Sequence, residues 1–449
     1  MDRGESEALS RLPFEGLVDH LRELLAPPLA NDWPNLPVVR AEGSLLWGAD
    51  GRRYVDFVEG FAANNTGHRH PRVLAAVREQ LDKLVHSAIG VTAYEPVLRL
   101  AARLREVTPE GIESFFFGNS GAEAVEGAIK LARYATGRPA VVAFWGGFHG
   151  RTFGAMSLTA SKAKYRLREE PLLGGVYHSV YPNVYRSAYR AEPERVAQEA
   201  LDHLQRLFEH EVDPSQVAAI VVEPVQGEGG YIVPPRSFLA GLREIADRHG
   251  ILLVFDEVQS GFGRTGRMFA AQTFDVRPDI LVMAKGIASG FPLSAVGASQ
   301  RLMRSWSSAA HGTTFGGNPV SCAAGLATLD VLEEEALPQR AAQLGPSVLE
   351  RLRELQREIP SMGDVRGVGL MIGVEFVDPA SGRPDGETAH RVIAEALERG
   401  LLLYPAGTHG EVIRFMPALN VPNEILEEGL SIFEEAVRAV AAEGAALRR

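Results

Sequence analysis

Residues 251–259 read ILLVFDEVQ, and residues 280–286 read ILVMAKG. Each opens as an apolar run of strand length and then meets a chemically active side chain, Asp256 in the first and Lys285 in the second. Apolar runs without alternation fit strands covered on both faces, as in a parallel sheet. Open sheets of that kind take ligands beyond the carboxyl ends of their strands, and both residues are expected there.

Either residue alone reads as something ordinary, an Asp that caps a helix or a Lys that faces water. As a pair they suit one chemistry. A lysine amine forms a Schiff base with pyridoxal phosphate, and a carboxylate keeps the pyridinium nitrogen protonated so that the ring draws electrons.

The surrounding pattern supports the sheet. Helices are predicted at 71–86, 95–106, 121–136, 193–210, 236–249 and 319–334, and strands at 114–117, 140–144, 218–222, 251–255 and 280–283. Such alternation implies an α/β fold, with a mostly parallel mixed sheet in a large domain. After about residue 340 the character changes. A charged helix at 346–357 precedes the strand-like GVGLMIGVEFV, a helix at 387–399, the strands LLLY and EVIRFMPAL, and a last helix: a smaller α+β domain. Residues 1 to about 40 read as a helix and a Pro-rich connector (Pro27, Pro28, Pro34, Pro37), and residues 44–58 as a hairpin turning at Ala49-Asp50-Gly51. The expected division is an N-terminal segment, 1–60, packed on the small domain, a large domain, 61–335, and the small domain, 336–449.

Composition narrows the class. With 45% hydrophobic and 23% charged residues the chain is ordinary for a globular enzyme. Its formal charge of −11 argues against nucleic-acid or anionic-membrane partners. The one cysteine, Cys322, excludes an internal disulfide and points to a cytoplasmic setting. Its neighbours Val320-Ser321-Cys322-Ala323-Ala324 read as a buried helix, so it is expected as a small core residue. The first residues lack the apolar centre of a signal peptide, and no stretch reaches the roughly 18 apolar residues of a membrane span.

Four further segments carry chemistry. FFFGNSGAEA (115–124) joins a strand to a helix through small residues, exposing backbone N–H groups for a phosphate. FWGGFHGRT (144–152) offers Phe148 for stacking on a flat ring and Arg151 as a carboxylate clamp. His149, like His68 and His70, shows no partner at metal spacing, and no metal site is expected. VVEPVQGEGG (221–230) sets Glu223 to order the pocket and Glu228 to pair with an arginine. HGTTFGGNP (311–319) places a threonine hydroxyl within reach of a phosphate. By contrast GFGRTG (261–266) matches G-x-G-x-x-G only in letters. A dinucleotide site needs those glycines directly at a strand end and a helix opening on them, which counts against a dinucleotide-dependent oxidoreductase.

On EPVQGEGG, DEVQSGFGRTG and AKGIASGFPL at their mutual spacing, and from LWGADGRRYVDF through to VIRFMP, the chain resembles the class III (ω-) aminotransferases, pyridoxal-phosphate enzymes of fold type I, nearest the 4-aminobutyrate enzymes. The resemblance implies that Lys285 is the Schiff-base lysine and proton shuttle, and that Asp256 is the pyridinium partner. Gln259 would bond the cofactor's ring oxygen. Gly121 and Ala122 would hold the phosphate, Ala122 standing where the family often has Ser. Phe148, often Tyr, would stack on the ring, with His149 and Glu223 beside the cofactor. Thr314 would reach the phosphate of a second subunit, implying a homodimer (or a tetramer) with shared sites. Arg151 would bind the distal carboxylate, and Glu228 would pair with Arg414 until an α-carboxylate displaces it. Phe61, often Ile, and the segment 405–410 depart from the pattern and would reshape the pocket. The implied reaction moves an amino group from a 4-aminobutyrate-like ω-amino acid to 2-oxoglutarate by a ping-pong route. Acetylornithine or ornithine transamination and amino-acid racemisation are the rivals.

Overall fold

The computed structural model of the protein describes residues 12–29 and 36–447. Strands β1 (Val38–Glu42), β2 (Leu45–Gly48) and β3 (Arg53–Asp56) form an antiparallel meander, with the expected turn between β2 and β3. Next come β4 (Ser114–Gly118), β5 (Ala140–Phe144), β6 (Val176–Ser179), β7 (Val217–Val222), β8 (Leu252–Asp256), β9 (Ile280–Met283) and β10 (Ser294–Ala298). These seven make one sheet in the order β4-β10-β9-β8-β7-β5-β6, parallel except for β10, which runs against both of its neighbours.

The two signature runs are therefore adjacent strands. Asp256 pairs with Val282 across β8 and β9, so Asp256 and Lys285 leave the sheet side by side. Apolar side chains fill both faces of these strands, which is why their sequence runs do not alternate. Helices Gly121–Thr136, Pro193–His210, Arg236–His249 and Pro319–Glu334 fall where the periodicity predicts them. In the last, Cys322 is fully buried, and burial pushes its thiol up to about 12, so it acts as a core residue.

Several expectations need correction. The helix predicted over 71–86 ends at Leu81. Strands β6 and β10 were not foreseen, because their short runs, VYHS and SAVGA, carry few large apolar residues. The helix expected at 346–357 spans Leu337–Glu358 and passes through Pro346. Its neighbour Gly345 lies so close to the turn after β11 that an added Cβ would stand 2.3 Å from the Gly369 carbonyl oxygen. GVGLMIGVEFV is not one strand. It splits into β11 (Met362–Val368) and β12 (Met371–Phe376) at a turn where Gly369 has a φ of +57°, the left-handed region that glycine enters without strain.

LLLY splits as well. β13 (Leu401–Leu402) runs parallel to β3, and β14 (Tyr404–Ala406) pairs with β15 (Val412–Phe415) in a sheet ordered β11-β12-β15-β14. The meander thus shares a sheet with C-terminal chain. Near the N-terminus the described helices are Phe14–Asp19 and Leu21–Leu24, and β1 begins inside the expected connector. The rest of that predicted helix, and Pro34, lie outside the described residues.

GFGRTG (261–266) has a structural task. Arg264 is fully buried and donates to the carbonyls of Leu370 at 3.2 Å and Pro417 at 2.5 Å, and to Asn65 Oδ1 at 2.7 Å. Burial lowers its guanidinium to about 10. The loop fastens the large sheet to C-terminal chain. Among the described residues no helix is long and apolar enough to cross a membrane.

Candidate active site

A cavity of about 530 Å³ opens at the carboxyl ends of β8 and β9. Lys285, Asp256, Gln259, Gly121, Ala122, Phe148, His149, Glu223, Phe61, Arg151, Glu228 and Arg414 all line it. One expected residue does not. Thr314 is exposed and outside the cavity of its own chain.

The deep end is built from strand ends and one helix. Asp256 Oδ1 accepts the Val258 N–H at 3.0 Å, and Oδ2 lies 2.7 Å from His149 Nδ1. Burial opposes a charge on His149, but the bond to Asp256 and the charges of Asp256 and Glu223 outweigh it and raise its pKa. Glu223 accepts the N–H groups of Phe148 and Gly227, each at 2.9 Å, and so ties two loops together. Burial pushes its carboxyl up to about 7. His149 is therefore not without a partner, as the sequence suggests. Nor is His70, whose Nε2 is 3.2 Å from Glu335 Oε1. His68 Nε2 stands 2.8 Å from Asp56 Oδ2 and 3.4 Å from Glu59 Oε2. The partners of these histidines are remote in sequence, so spacing could not show them. Asp56, Glu59 and His68 are also, among the described residues, a group compact enough to ligate a cation.

Lys285 follows β9 with a φ of +45°, a strained value for a side-chain-bearing residue. Its side chain is half-buried in the cavity wall, and desolvation there, helped by the charge of Arg414, lowers its pKa to about 8 against the pull of Glu223, Asp256 and Glu228. A lysine so placed sheds its proton near neutral pH and becomes a nucleophile and base.

The helix Gly121–Thr136 points its N-terminus into the cavity, capped by Ser120 Oγ, which accepts the Glu123 N–H at 3.2 Å. The N–H groups of Gly121 and Ala122 open that helix and have no carbonyl within it to reach, which suits an anion. Space there is tight, for a Cβ on Gly121 would lie 3.0 Å from Val258 Cγ1.

A second group of charged residues meets in the same cavity. Glu228 Oε1 is 2.7 Å from Lys162 Nζ and accepts the Tyr165 hydroxyl at 2.8 Å, while Oε2 is 3.2 Å from Arg414 Nη1. Burial works to raise the Glu228 carboxyl, but Arg414 and Lys162 prevail and lower it. The Arg151 guanidinium lies 3.7 Å from the Tyr165 ring centroid and 5.6 Å from that of Phe148, and among the described residues no carboxylate pairs with it. Phe61 comes from a turn in which Glu59, Gly60, Phe61 and Ala62 all have positive φ. Such a run costs about 1–2 kcal/mol per side-chain-bearing residue, so the surrounding packing must enforce it. Its ring meets Tyr404 edge-on at 4.8 Å.

Sequence reasoning missed Lys162, Tyr165 and Tyr404. The first two lie in SKAKY, where a lysine reads as a surface charge, and Tyr404 closes a run that reads as plain strand.

The arrangement fits pyridoxal phosphate on observations independent of any relative. It offers a lysine amine in the cavity wall, a buried carboxylate, helix N–H groups for the phosphate, and Gln259, whose Oε1 is buried with no hydrogen-bond partner. Comparison with known proteins agrees. The family model Aminotransferase class-III matches residues 29–437. 5-Aminovalerate aminotransferase DavT of Pseudomonas putida is 39% identical over 89% of this chain and 93% of its own. The alanine/serine racemase of Pyrococcus horikoshii is 40% identical over 89% of this chain and 85% of its own. Among solved structures, taurine:2-oxoglutarate aminotransferase from Bifidobacterium kashiwanohense, in complex with PLP and glutamate, superposes with a TM-score of 0.89 at 29% identity, covering 96% of this chain and 99% of that one.

The chain belongs to the class-III aminotransferases, enzymes that use pyridoxal phosphate.

Proposed function

We propose that the protein transfers an amino group from an ω-amino acid resembling 4-aminobutyrate to 2-oxoglutarate by a ping-pong route. The observation that carries this reading is the pair of arginines that line the cavity, Arg151 with no carboxylate partner among the described residues and Arg414 held by Glu228. An ω-amino acid needs one cation, at its distal carboxylate, whereas 2-oxoglutarate needs two. A cavity with one open arginine and one that a glutamate masks can serve both in turn, because a desolvated carboxylate left unpaired is costly.

Bound pyridoxal phosphate supplies an aldehyde carbon and an electron-withdrawing ring. The chain's residues do the rest. Gly121 and Ala122 would hold the phosphate, Asp256, backed by its bond to His149, would hold the ring nitrogen, and Gln259 would meet the ring oxygen. Phe148 would cover the ring face. Lys285 Nζ takes the proton from the donor carbon that bears nitrogen. Thr314 completes the phosphate site of a second copy of the chain, a role its exposed place outside its own cavity suits. Phe61, edge-on to Tyr404 in the cavity wall, reshapes the pocket towards a longer or bulkier donor.

Racemisation is the second reading, supported by the Pyrococcus horikoshii relative. It gives the open guanidinium of Arg151 no task with a neutral amino acid, so transamination of an ω-amino acid is preferred. Arg151→Ala tests the choice. It is expected to lower kcat/KM for ω-amino acid donors on the order of 10²-fold, the worth of a charge-assisted carboxylate pair, while simple alkyl amines lose little. Equal losses for both donor types would remove Arg151 from the substrate site.

A further inference from the structure

We propose that Lys162 is a second cation of the Glu228 switch: it keeps hold of Glu228 while Arg414 turns to an α-carboxylate, and it thereby sets how well the enzyme accepts the α-amino acid partner. This rests on the transamination reading above and identifies a residue for one of its two half-reactions.

The geometry assigns the role. Glu228 divides its oxygens, Oε2 toward Arg414 at 3.2 Å and Oε1 toward Lys162 at 2.7 Å, with Tyr165 also donating to Oε1 at 2.8 Å. The Lys162 side chain is only 9% exposed, and among the described residues Glu228 is the one carboxylate paired with it. The backbone of Glu228 is fixed, since its carbonyl accepts the Gly407 N–H at 3.0 Å, so any release of Arg414 is a motion of the side chain. Arg414 has donors to spare. One terminal nitrogen donates to the Pro405 carbonyl at 3.0 Å, and its Nε is buried with no hydrogen-bond partner.

When a dicarboxylate binds, Arg151 takes one carboxylate and Arg414 the other, and Glu228 must let go. Its side chain is 14% exposed, so with Arg414 withdrawn it would be a buried anion held by a phenol alone. Lys162 removes that cost, because the shorter of the glutamate's two ion pairs, 2.7 Å against 3.2 Å, is kept. With a monocarboxylate ω-amino acid Arg414 stays on Glu228, and the lysine matters little. Lys162 is thus a positioning residue that acts through Glu228, and its loss falls on one substrate class.

The test follows each half-reaction separately on holoenzyme, together with binding of glutarate, an unreactive dicarboxylate. In K162M and K162Q we expect the KM for L-glutamate and the Kd for glutarate to rise about tenfold or more, the range for a buried charge that loses its partner. The KM for 4-aminobutyrate should stay within about threefold, outside the reach of the lost contact. K162R should restore glutamate use. In an E228Q background K162M should add little, because a neutral amide needs no cation. Equal losses in both half-reactions, or full additivity with E228Q, would overturn the proposal. If the wild type itself takes no amino group from glutamate, the substrate reading fails and takes this inference with it. If it does and both Lys162 variants keep its affinity, this inference fails alone.

Discussion

Lys285→Ala is expected to lower the rate of amino transfer by at least about 10³-fold, within the span that a positioned acid–base group contributes. The claim rests on three features of one side chain. It leaves β9 beside the end of β8, it lines the cavity, and its pKa falls to about 8. An exposed lysine would stay protonated two pH units higher and could neither attack an aldehyde nor accept a proton at neutral pH. Lys285→Arg should fare no better, since a guanidinium does not give up its proton in a protein. Single-turnover rates with a saturating donor check both variants. Activity within tenfold of the wild type would mean that another group moves the proton.

Asp256→Asn should rank next, with a loss of about 10²–10³-fold in kcat at near-native folding. Asparagine keeps the shape and can still accept the Val258 N–H, so β8 and its turn survive. What disappears is the charge that holds His149 Nδ1 at 2.7 Å and that would face the ring nitrogen of bound pyridoxal phosphate. An electrostatic contact that matters where charge develops is worth about 10²–10³-fold in kcat, about 2.7–4 kcal/mol at 1.36 kcal/mol per factor of ten. The loss should appear in kcat rather than in KM, because the proposed partner of this charge is the cofactor's ring and not the substrate. A KM-only effect would place Asp256 in substrate binding instead.

Much of this was legible from local patterns. The non-alternating runs at 251–255 and 280–283 identify central parallel strands, and their ends name Asp256 and Lys285, because strand burial and ligand position follow from the same topology. The glycine-rich turn before Gly121 likewise reads as a helix N-terminus. What stayed hidden depends on chain brought together from far apart. β10 inserts antiparallel between β4 and β9, and nothing in SAVGA announces this. Pro346 reads as a helix start, but tertiary packing carries the helix through it. Lys162 meets Glu228, and Tyr404 meets Phe61, only after folding. His68 finds its acids through the strained turn at 59–62. The resemblance supplied the role of Arg414, which in the strand VIRF would otherwise read as a buried curiosity.

The central claim is that the lysine amine at the end of β9 would hold pyridoxal phosphate, and that the enzyme so loaded moves an amino group from an ω-amino acid to a dicarboxylate oxo acid. Absorption of the holoenzyme near the visible edge, recorded on adding 4-aminobutyrate alone, tests it most directly. The account predicts that the band shifts once per active site without a second substrate, and returns when 2-oxoglutarate is added. A colourless protein, or a band that ω-amino acids leave unmoved, would contradict it.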